Sequence, residues 1–229
     1  MEIRDSPFET ASAFLTPLAA MALPGIRLAH DRLTHEKGVF TEEWLAGRPL
    51  PLADARQPGQ TVALVDGDGF TRSLGADSAT HDHDVRPRTR VYESLHVRSN
   101  SWVSLTALHL AGLLRRDVVC TAYESHAGDL NLGPHDDLWT GLIVQISGAK
   151  RWLVWPNPQA APEEFVMRTG DVMVLPRRMK HDVSTPENPG YSLHLVFAIT
   201  DRPIEAWSAP QSSGVNHLDR DERAIPVAG

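Results

Sequence analysis

Residues 135–152 read HDDLWTGLIVQISGAKRW, and the rest of the sequence is interpreted outward from this stretch. It begins with a polar turn, continues through an apolar run at 142–146, and reaches a second apolar run at 152–155 after Gly148. Short runs rich in aliphatic and aromatic residues, separated by turn residues, are typical of antiparallel β structure. The stretch therefore predicts two strands separated by a turn.

The same pattern continues on both sides of this stretch. Further strands are predicted at 90–97, 118–123, 165–167, 172–175 and 191–199. A series of such strands indicates a sandwich or a small barrel. Residues 101–114 carry apolar side chains at helical spacing and predict a helix with Ser101 as its N-cap. We therefore expect a mainly β fold with flanking helices.

The part of the chain before residue 85 has only brief apolar runs among polar and Gly/Pro-rich stretches. Thr41 is predicted to cap a short helix, since acidic residues follow it in the first turn. Residues 61–65 predict a strand that ends in a tight turn at 66–69. Residues 78–88 are polar and predict an exposed loop.

The composition excludes several classes of protein. The 229 residues include 22 Lys and Arg against 29 Asp and Glu, a net charge of −7. A generic nucleic-acid-binding protein would show a basic stripe instead, so we expect no nucleic-acid partner. A single cysteine, Cys120, excludes an intramolecular disulfide framework and a cysteine-rich zinc site. Residues 15–28 are too short and too interrupted by proline to span a bilayer, and the acidic start does not fit a signal peptide. We expect a cytoplasmic protein with no membrane partner.

The residues most capable of chemistry follow Gly133 and Pro134. In an extended segment His135 and Asp137 face the same way, because alternate residues share a face. His181 follows a strand and a loop, and an antiparallel barrel can return it beside the first two. Two imidazoles and one carboxylate suit non-haem Fe(II), since three coordination positions stay open. A His-x-Asp pair is also common by chance. The His81–Asp84 run (HDHD) has the same spacing, and we interpret it as a solvated loop, with weak metal binding as the alternative.

Several motifs occur in order and at fitting spacings over residues 89–200. A Pro-His-x-Asp segment is followed by a strand with Gln145, then Gly-x-Lys-Arg-Trp, Gly-Asp-x-x-x-x-Pro at 170–176, His181, and Ser-x-His at 192–194. This set resembles the JmjC-type cupin oxygenases, and among them most closely the ribosomal oxygenase (cupin-4) group of Fe(II)/2-oxoglutarate hydroxylases. The resemblance implies a double-stranded β-helix core of the cupin or jelly-roll type. It also implies Fe(II) and 2-oxoglutarate as cofactors.

Carried over residue by residue, the resemblance gives each motif residue a role. His135, Asp137 and His181 match the iron ligands. Lys150 matches the basic residue that pairs with the far carboxylate of 2-oxoglutarate, and Tyr123 matches a hydroxyl donor to the same group. A fixed cation is what a dicarboxylate needs at its far end. A surface lysine is the alternative for Lys150, although only Lys37 and Lys180 accompany it in the chain.

Two positions depart from the family pattern beside the cosubstrate. Thr121 stands where an Asn is expected, and Val196 stands where a Thr or Ser often occurs. Both changes reduce the polar contacts available to 2-oxoglutarate. His194 shares a strand face with Ser192 and is assigned with Thr121 to the cofactor environment, with a satisfied core histidine as the alternative.

The motifs also predict the organisation of the chain. We expect an N-terminal mixed extension at 1–88 packing on the core, a catalytic core at 89–205, and a C-terminal tail at 206–229. The resemblance implies an oxygenase that uses dioxygen to hydroxylate a C–H bond in a peptide or protein side chain.

Other functions stay open at this stage. A small free metabolite is an alternative substrate, because the extra domains of the ribosome-acting members are not expected here. A non-redox metal-binding cupin and a degenerate oxygenase acting as an interaction module are the remaining alternatives. The oligomeric state is open, with a homodimer as one option.

Overall fold

A computed structural model describes residues 6–27, 32–48, 50, 52, 61–74, 82–98 and 101–203 of the chain. The predicted tail at 206–229 and the whole segment at 75–81, which includes the first residues of the predicted loop at 78–88, lie outside the described residues. The helices are α1 (Pro7–Arg27), α2 (Glu42–Ala46), α3 (Leu95–Arg98) and α4 (Trp102–Leu114), and a single helical turn covers residues 82–85. The strands are β1 (Thr34–Glu36), β2 (Thr61–Asp66), β3 (Gly69–Leu74), β4 (Thr89–Tyr92), β5 (Arg116–His126), β6 (Thr140–Trp155), β7 (Glu163–Arg168), β8 (Val172–Leu175), β9 (Lys180–Ser184) and β10 (Tyr191–Pro203).

The strands form two antiparallel layers that share one strand. The larger layer has the order β1-β8-β6-β10-β5-β4-β2-β3, and the second half of β6 pairs with β7 on one side and β9 on the other. Strand β6 therefore crosses from the larger layer into the smaller one. This arrangement, with strands on both sides of a central space, is a jelly roll of the cupin type. The predicted fold class is confirmed.

Gly148 lies at the point where β6 changes layer. Its φ is +72°, a left-handed conformation that favours glycine, and a Cβ atom there would lie 2.0 Å from the carbonyl oxygen of Tyr191. Gly148 pairs with Ser192 of β10, and the register between the two strands shifts close by, between Leu193 and His194, where Ile146 is the extra residue of β6. Sequence analysis predicted two strands separated by a turn here. The structure instead has one bent strand, because the extra residue at the bulge bends the chain without breaking its pairing.

Gly148→Ala is expected to lower the free energy of unfolding by more than about 3 kcal/mol, because a methyl group would overlap backbone atoms that cannot rotate away. Gly128→Ala is the matched control. Gly128 also has a positive φ, of +85°, but nothing lies within 4 Å of its Cβ position, so only about 1–2 kcal/mol of backbone strain is expected. Urea denaturation of the two variants measures the difference, and equal losses would show that the contact with Tyr191 does not matter.

The outer face of the larger layer packs against the helices. Alternate residues of β6 and β10 point outward into this core: Leu142, Val144, Leu195 and Phe197. Phe14 of α1 lies at its centre, 4.7 Å from the ring of Trp102 and 6.2 Å from the ring of Phe197 between centroids. Because α1 and α4 cover this outer face, the inner face of the sheet is left to line the cavity between the two layers.

Several local predictions are confirmed and others are wrong. Helix α4 begins after Ser101 as predicted, and Thr41 caps α2 by accepting a hydrogen bond of 3.1 Å from the Trp44 amide. The predicted strand at 90–97 is wrong in its second half, because the chain turns after Tyr92 into α3, where Leu95 is buried against the helical core. Sequence analysis also did not anticipate α1, since Pro17 falls within it.

Candidate active site

His135 and His181 are brought together by their backbones. The two residues form an isolated antiparallel pair, in which each amide donates to the carbonyl of the other at 2.9 and 2.8 Å. Asp137 follows two residues later on the same extended segment, and its carbonyl accepts a 2.6 Å hydrogen bond from the Arg178 amide. The main chain therefore places the three predicted side chains on one side of the paired segments.

The side chains of the three residues converge on one point. His135 donates from Nδ1 to the carbonyl of Gly133 at 2.8 Å, and His181 donates from Nδ1 to the carbonyl of Met179 at 2.9 Å. A carbonyl can only accept, so in the neutral form of each ring the lone pair lies on Nε2. Nε2 of His181 lies 3.6 Å from Oδ2 of Asp137, and one ligand atom from each residue lies within 4.8 Å of the others. This group of residues is called the triad below.

Burial affects the charge of two members of the triad. Burial raises the pKa of Asp137 to about 6, His135 acts to lower it, and Asp136 acts to raise it. Burial also lowers the pKa of His181 to about 4, and the neighbouring His135 adds to this effect. Both directions follow from the cost of holding a charge away from water.

The triad opens into a cavity between the two layers. Its wall is largely apolar, with Val65 and Phe70 from the β2–β3 hairpin on one side and Ile143 and Val196 from the larger layer on another. Trp139, two residues after Asp137, also lines it. Of the residues assigned to the cosubstrate, Tyr123, Lys150 and His194 line the cavity. Thr121 is not part of its wall.

Lys150 is buried in this cavity and is 1% exposed. Its Nζ donates to Oγ of Ser125 at 2.8 Å and to Oγ1 of Thr185 at 3.1 Å. Among the described residues, no carboxylate lies within ion-pair distance of Nζ. Burial lowers the pKa of Lys150 to about 8, although the more distant Asp129 and Asp182 act to raise it. The cation is therefore solvated by two hydroxyl groups and lacks a close anion.

Ser125 and Thr185 were missed by sequence analysis. Ser125 lies two residues after Tyr123 on β5, so strand alternation places it on the same face as Tyr123, which the family resemblance had assigned to the site. Their hydroxyl groups lie 2.7 Å apart and form a small network with Lys150. No sequence signal identifies Thr185, which follows β9 and reaches the network only through the fold.

Tyr123 and His194 face each other across neighbouring strands. They are register partners on β5 and β10, and their rings stack with centroids 5.1 Å apart and an angle of 4° between the planes. Burial lowers the pKa of His194 well below its ordinary value, and the charge of Lys150 acts in the same direction. The Nδ1 atom of His194 and the Oγ1 atom of Thr121 are buried without a hydrogen-bond partner among the described residues.

Comparison with known proteins identifies the segment that carries this site. Residues 98–205 match the model of the JmjC domain family, and they include the triad, Lys150 and Tyr123. This segment of 108 residues, a little under half of the chain, is similar to JmjC domains. The prediction of a JmjC-type cupin is confirmed.

Two curated proteins that are similar to part of this chain are both named ribosomal oxygenase 2. Ribosomal oxygenase 2 of Mus musculus is 30% identical over 91 residues, which are 33% of this chain and 20% of that protein. The protein of the same name from Bos taurus matches with the same identity and coverage. This chain therefore spans about a fifth of the length of those curated relatives.

Solved structures share the fold. YcfD, a ribosomal oxygenase from Escherichia coli, superposes with a TM-score of 0.54 and 18% identity over 86% of this chain and 61% of that one. A structure of YcfD in complex with cobalt and 2-oxoglutarate superposes with a TM-score of 0.53, at the same identity and coverage. At this identity the likeness shows the fold of the JmjC domain. Among the described residues, no helix has the length and apolar character needed to cross a membrane.

Proposed function

We propose that this chain is an Fe(II)/2-oxoglutarate-dependent oxygenase that hydroxylates a C–H bond. The observation that carries the proposal is the pairing of two features in one cavity. A triad of two imidazoles and a carboxylate lies on one side. Lys150, a buried cation with no close carboxylate among the residues that the structure describes, lies on another. A metal site alone explains the first feature, whereas a bound dicarboxylate is needed to explain both.

The triad fits Fe(II) in the chemistry of its donors. His135, His181 and Asp137 provide two nitrogen atoms and one carboxylate, the ligand set of non-haem iron oxygenases, and leave positions for other ligands. The Nδ1 hydrogen bonds to the carbonyls of Gly133 and Met179 fix the orientation of both rings, as is usual for histidines that bind metals. We therefore assign these three residues as the metal ligands.

The other residues of the cavity fit 2-oxoglutarate. Lys150 would hold the far carboxylate, and the hydroxyl groups of Ser125 and Thr185 keep its ammonium group in place. Tyr123 also lines the cavity, and its hydroxyl group is assigned as a further donor. Burial raises the pKa of Tyr123, so the phenol keeps the proton that it would donate. His194 is assigned to the same environment because its buried Nδ1 has no hydrogen-bond partner in the described part of the chain.

The chain contributes binding, orientation and exclusion of water. Iron and 2-oxoglutarate, when bound, supply the oxidising power for hydroxylation by dioxygen. The apolar wall formed by Val65, Phe70 and Ile143 keeps water from the cavity, and a dry site strengthens the attraction between Lys150 and a carboxylate. The backbone pairing of His135 with His181 keeps the triad in one geometry before any ligand arrives.

We infer that the substrate is a side chain of a peptide or protein. The names of the relatives, which are ribosomal oxygenases, support this inference. The non-redox alternative is less well supported, because a simple metal-binding cupin has no use for a buried lysine beside its metal. A free metabolite as substrate, the division of the chain at residues 88 and 205, a cytoplasmic location and a homodimeric state stay predictions.

Anaerobic titration with Fe(II) and then 2-oxoglutarate tests the proposal. We expect a weak visible charge-transfer band in the wild-type protein, since the cosubstrate would chelate iron held by the triad. His135→Ala should lose the band. His109→Ala is the matched control, because His109 lies on α4, across the sheet from the cavity, and its variant should keep the band. Absence of the band in the wild type, or its persistence in His135→Ala, would exclude the proposed site.

A further inference from the structure

A second group of metal-binding side chains lies away from the triad. His83 stands in the helical turn at 82–85, His126 is the last residue of β5, and Asp129 follows in the next turn. One potential ligand atom from each lies within 4.8 Å of the others. His83 belongs to the HDHD run that sequence analysis interpreted as a solvated loop. The structure instead places its side chain, which is 12% exposed, against the end of β5.

The geometry of this group suits a tetrahedral cation. Nε2 of His83 lies 3.3 Å from both carboxylate oxygens of Asp129, and Nδ1 of His126 lies 3.9 Å from Oδ2 of the same residue. Zinc–nitrogen bonds of about 2.0–2.1 Å separate tetrahedral ligands by roughly 3.4 Å. The His83–Asp129 distance already matches this value. The His126 side chain is 50% exposed, so its ring can rotate at little cost. A small rotation would bring its Nδ1 atom the remaining half ångström closer to Oδ2 of Asp129.

The charge around Asp129 is unbalanced. Its carboxylate is 4% exposed and accepts a 2.8 Å hydrogen bond from the His126 amide. No Lys or Arg side chain in the described ranges lies within ion-pair distance of it. A buried carboxylate faced only by two imidazoles and a backbone amide is an electrostatic environment that a divalent cation would complete.

A further carboxylate lies behind one of the imidazoles. Oδ1 of Asp84 is 3.9 Å from Nδ1 of His83, on the side of the ring opposite Asp129. Histidines that bind metals usually donate their second ring N–H to a carboxylate or a carbonyl. The Asp84 side chain is 72% exposed and is not hydrogen-bonded to His83 at this distance, so it would have to move closer to orient His83 with Nε2 facing the cation.

We propose that His83, His126 and Asp129 form a second divalent-metal site, selective for Zn²⁺-like transition cations, with water at the fourth position. The site would tie the turn at 82–85 to the end of β5. His126 directly follows Ser125, which holds Lys150. Metal at this position therefore fixes the strand end that carries one of the two hydroxyl partners of Lys150.

Zinc stoichiometry tests this site without reference to oxygenase activity. The full-length chain, free of any His-tag, is dialysed against Zn²⁺ and its metal content is measured. The wild type is expected to hold two zinc ions. The double variant His135→Ala/Asp137→Ala, which lacks the triad ligands, should hold one. Adding His126→Ala or Asp129→Asn to that variant should leave none.

The melting temperature gives a second measurement on the same proteins. Zinc at about a hundred times its Kd should raise the melting temperature of His135→Ala/Asp137→Ala by about 5–10 °C and should not change that of the variant with Asp129→Asn. The proposal is overturned if His135→Ala/Asp137→Ala holds no zinc. It is also overturned if one zinc ion per chain persists after both His126→Ala and Asp129→Asn. Neither result bears on the triad.

Discussion

Asp137→Ala is expected to lower the conversion of 2-oxoglutarate to succinate by about a thousandfold or more. The change removes the only anionic ligand of the triad and leaves two imidazoles, which hold Fe(II) weakly. Loss of a residue that merely orients a metal ligand commonly costs about 10–100-fold, so loss of a ligand itself should cost more. Succinate formation at saturating iron and 2-oxoglutarate measures the effect, and iron content after dialysis should fall in parallel.

Asp136→Ala is the matched control for this prediction. Asp136 is the adjacent residue and carries the same charge, but it does not belong to the triad. It acts on Asp137 only at a distance, by raising the pKa of that carboxyl group. We expect its variant to keep activity within a few-fold of the wild type. Equal losses in the two variants would show that negative charge near the triad matters, and not the carboxylate ligand.

Lys150→Met is expected to raise the KM for 2-oxoglutarate by about a hundredfold or more, without loss of thermal stability. Removing one partner of a buried charge pair costs about 2–5 kcal/mol of binding. The folded protein without ligand should not be destabilised, because methionine fills a similar volume and removes a buried charge that lacks a close carboxylate. Steady-state kinetics and thermal denaturation of the same preparation test both expectations.

Lys37→Met is the control, since Lys37 is exposed and does not line the cavity. It should change neither the KM nor the stability. A normal KM in Lys150→Met would remove the argument for a bound dicarboxylate and would favour the non-redox alternative. Loss of stability in Lys150→Met would instead show that its hydrogen bonds to Ser125 and Thr185 are structural.

The same lysine predicts a dependence on pH. Because burial lowers the pKa of Lys150 to about 8, the free protein loses the ammonium charge as the pH rises through that value. The affinity for 2-oxoglutarate should therefore fall above pH 8 in the wild type and stay flat in Lys150→Met. The unfolded chain binds more protons than the folded one between pH 8 and the ordinary lysine pKa of 10.5, so wild-type stability should rise over this window relative to Lys150→Met. Isothermal titration calorimetry and urea denaturation at several pH values measure the two trends.

The sequence predicts the triad at the centre of the molecule better than the elements at its periphery. The triad could be anticipated because alternation along an extended segment and the return of an antiparallel strand are general properties of β structure. The placement of Lys150 rested on a motif and on the scarcity of lysine. Its hydroxyl partners could not be predicted together, because Thr185 lies 60 positions after Ser125 and only the fold brings them into contact.

The errors have a common physical cause. Helix α1 forms in spite of Pro17, because Ala11, Phe14 and Leu18 recur at helical spacing and are completely buried in the core that α1 shares with α4 and the sheet. This packing outweighs a local preference that argued against a helix. The turn into α3 after Tyr92 follows in the same way, since its place is fixed by the burial of Leu95. Tertiary burial is not visible in a short window of sequence.

Because β6 belongs to both layers, the two layers are fixed to each other along this strand. Its first half is held by β8 and β10 and its second half by β7 and β9, so the two layers cannot spread apart without breaking a ladder on one side of Gly148. The cavity can therefore widen for a bulky substrate only if the connections at its rim move, such as the β2–β3 hairpin that carries Phe70. Proteins with this architecture that accept substrates of different size should therefore differ in those rim connections. The strand shared by the two layers should be the same in all of them.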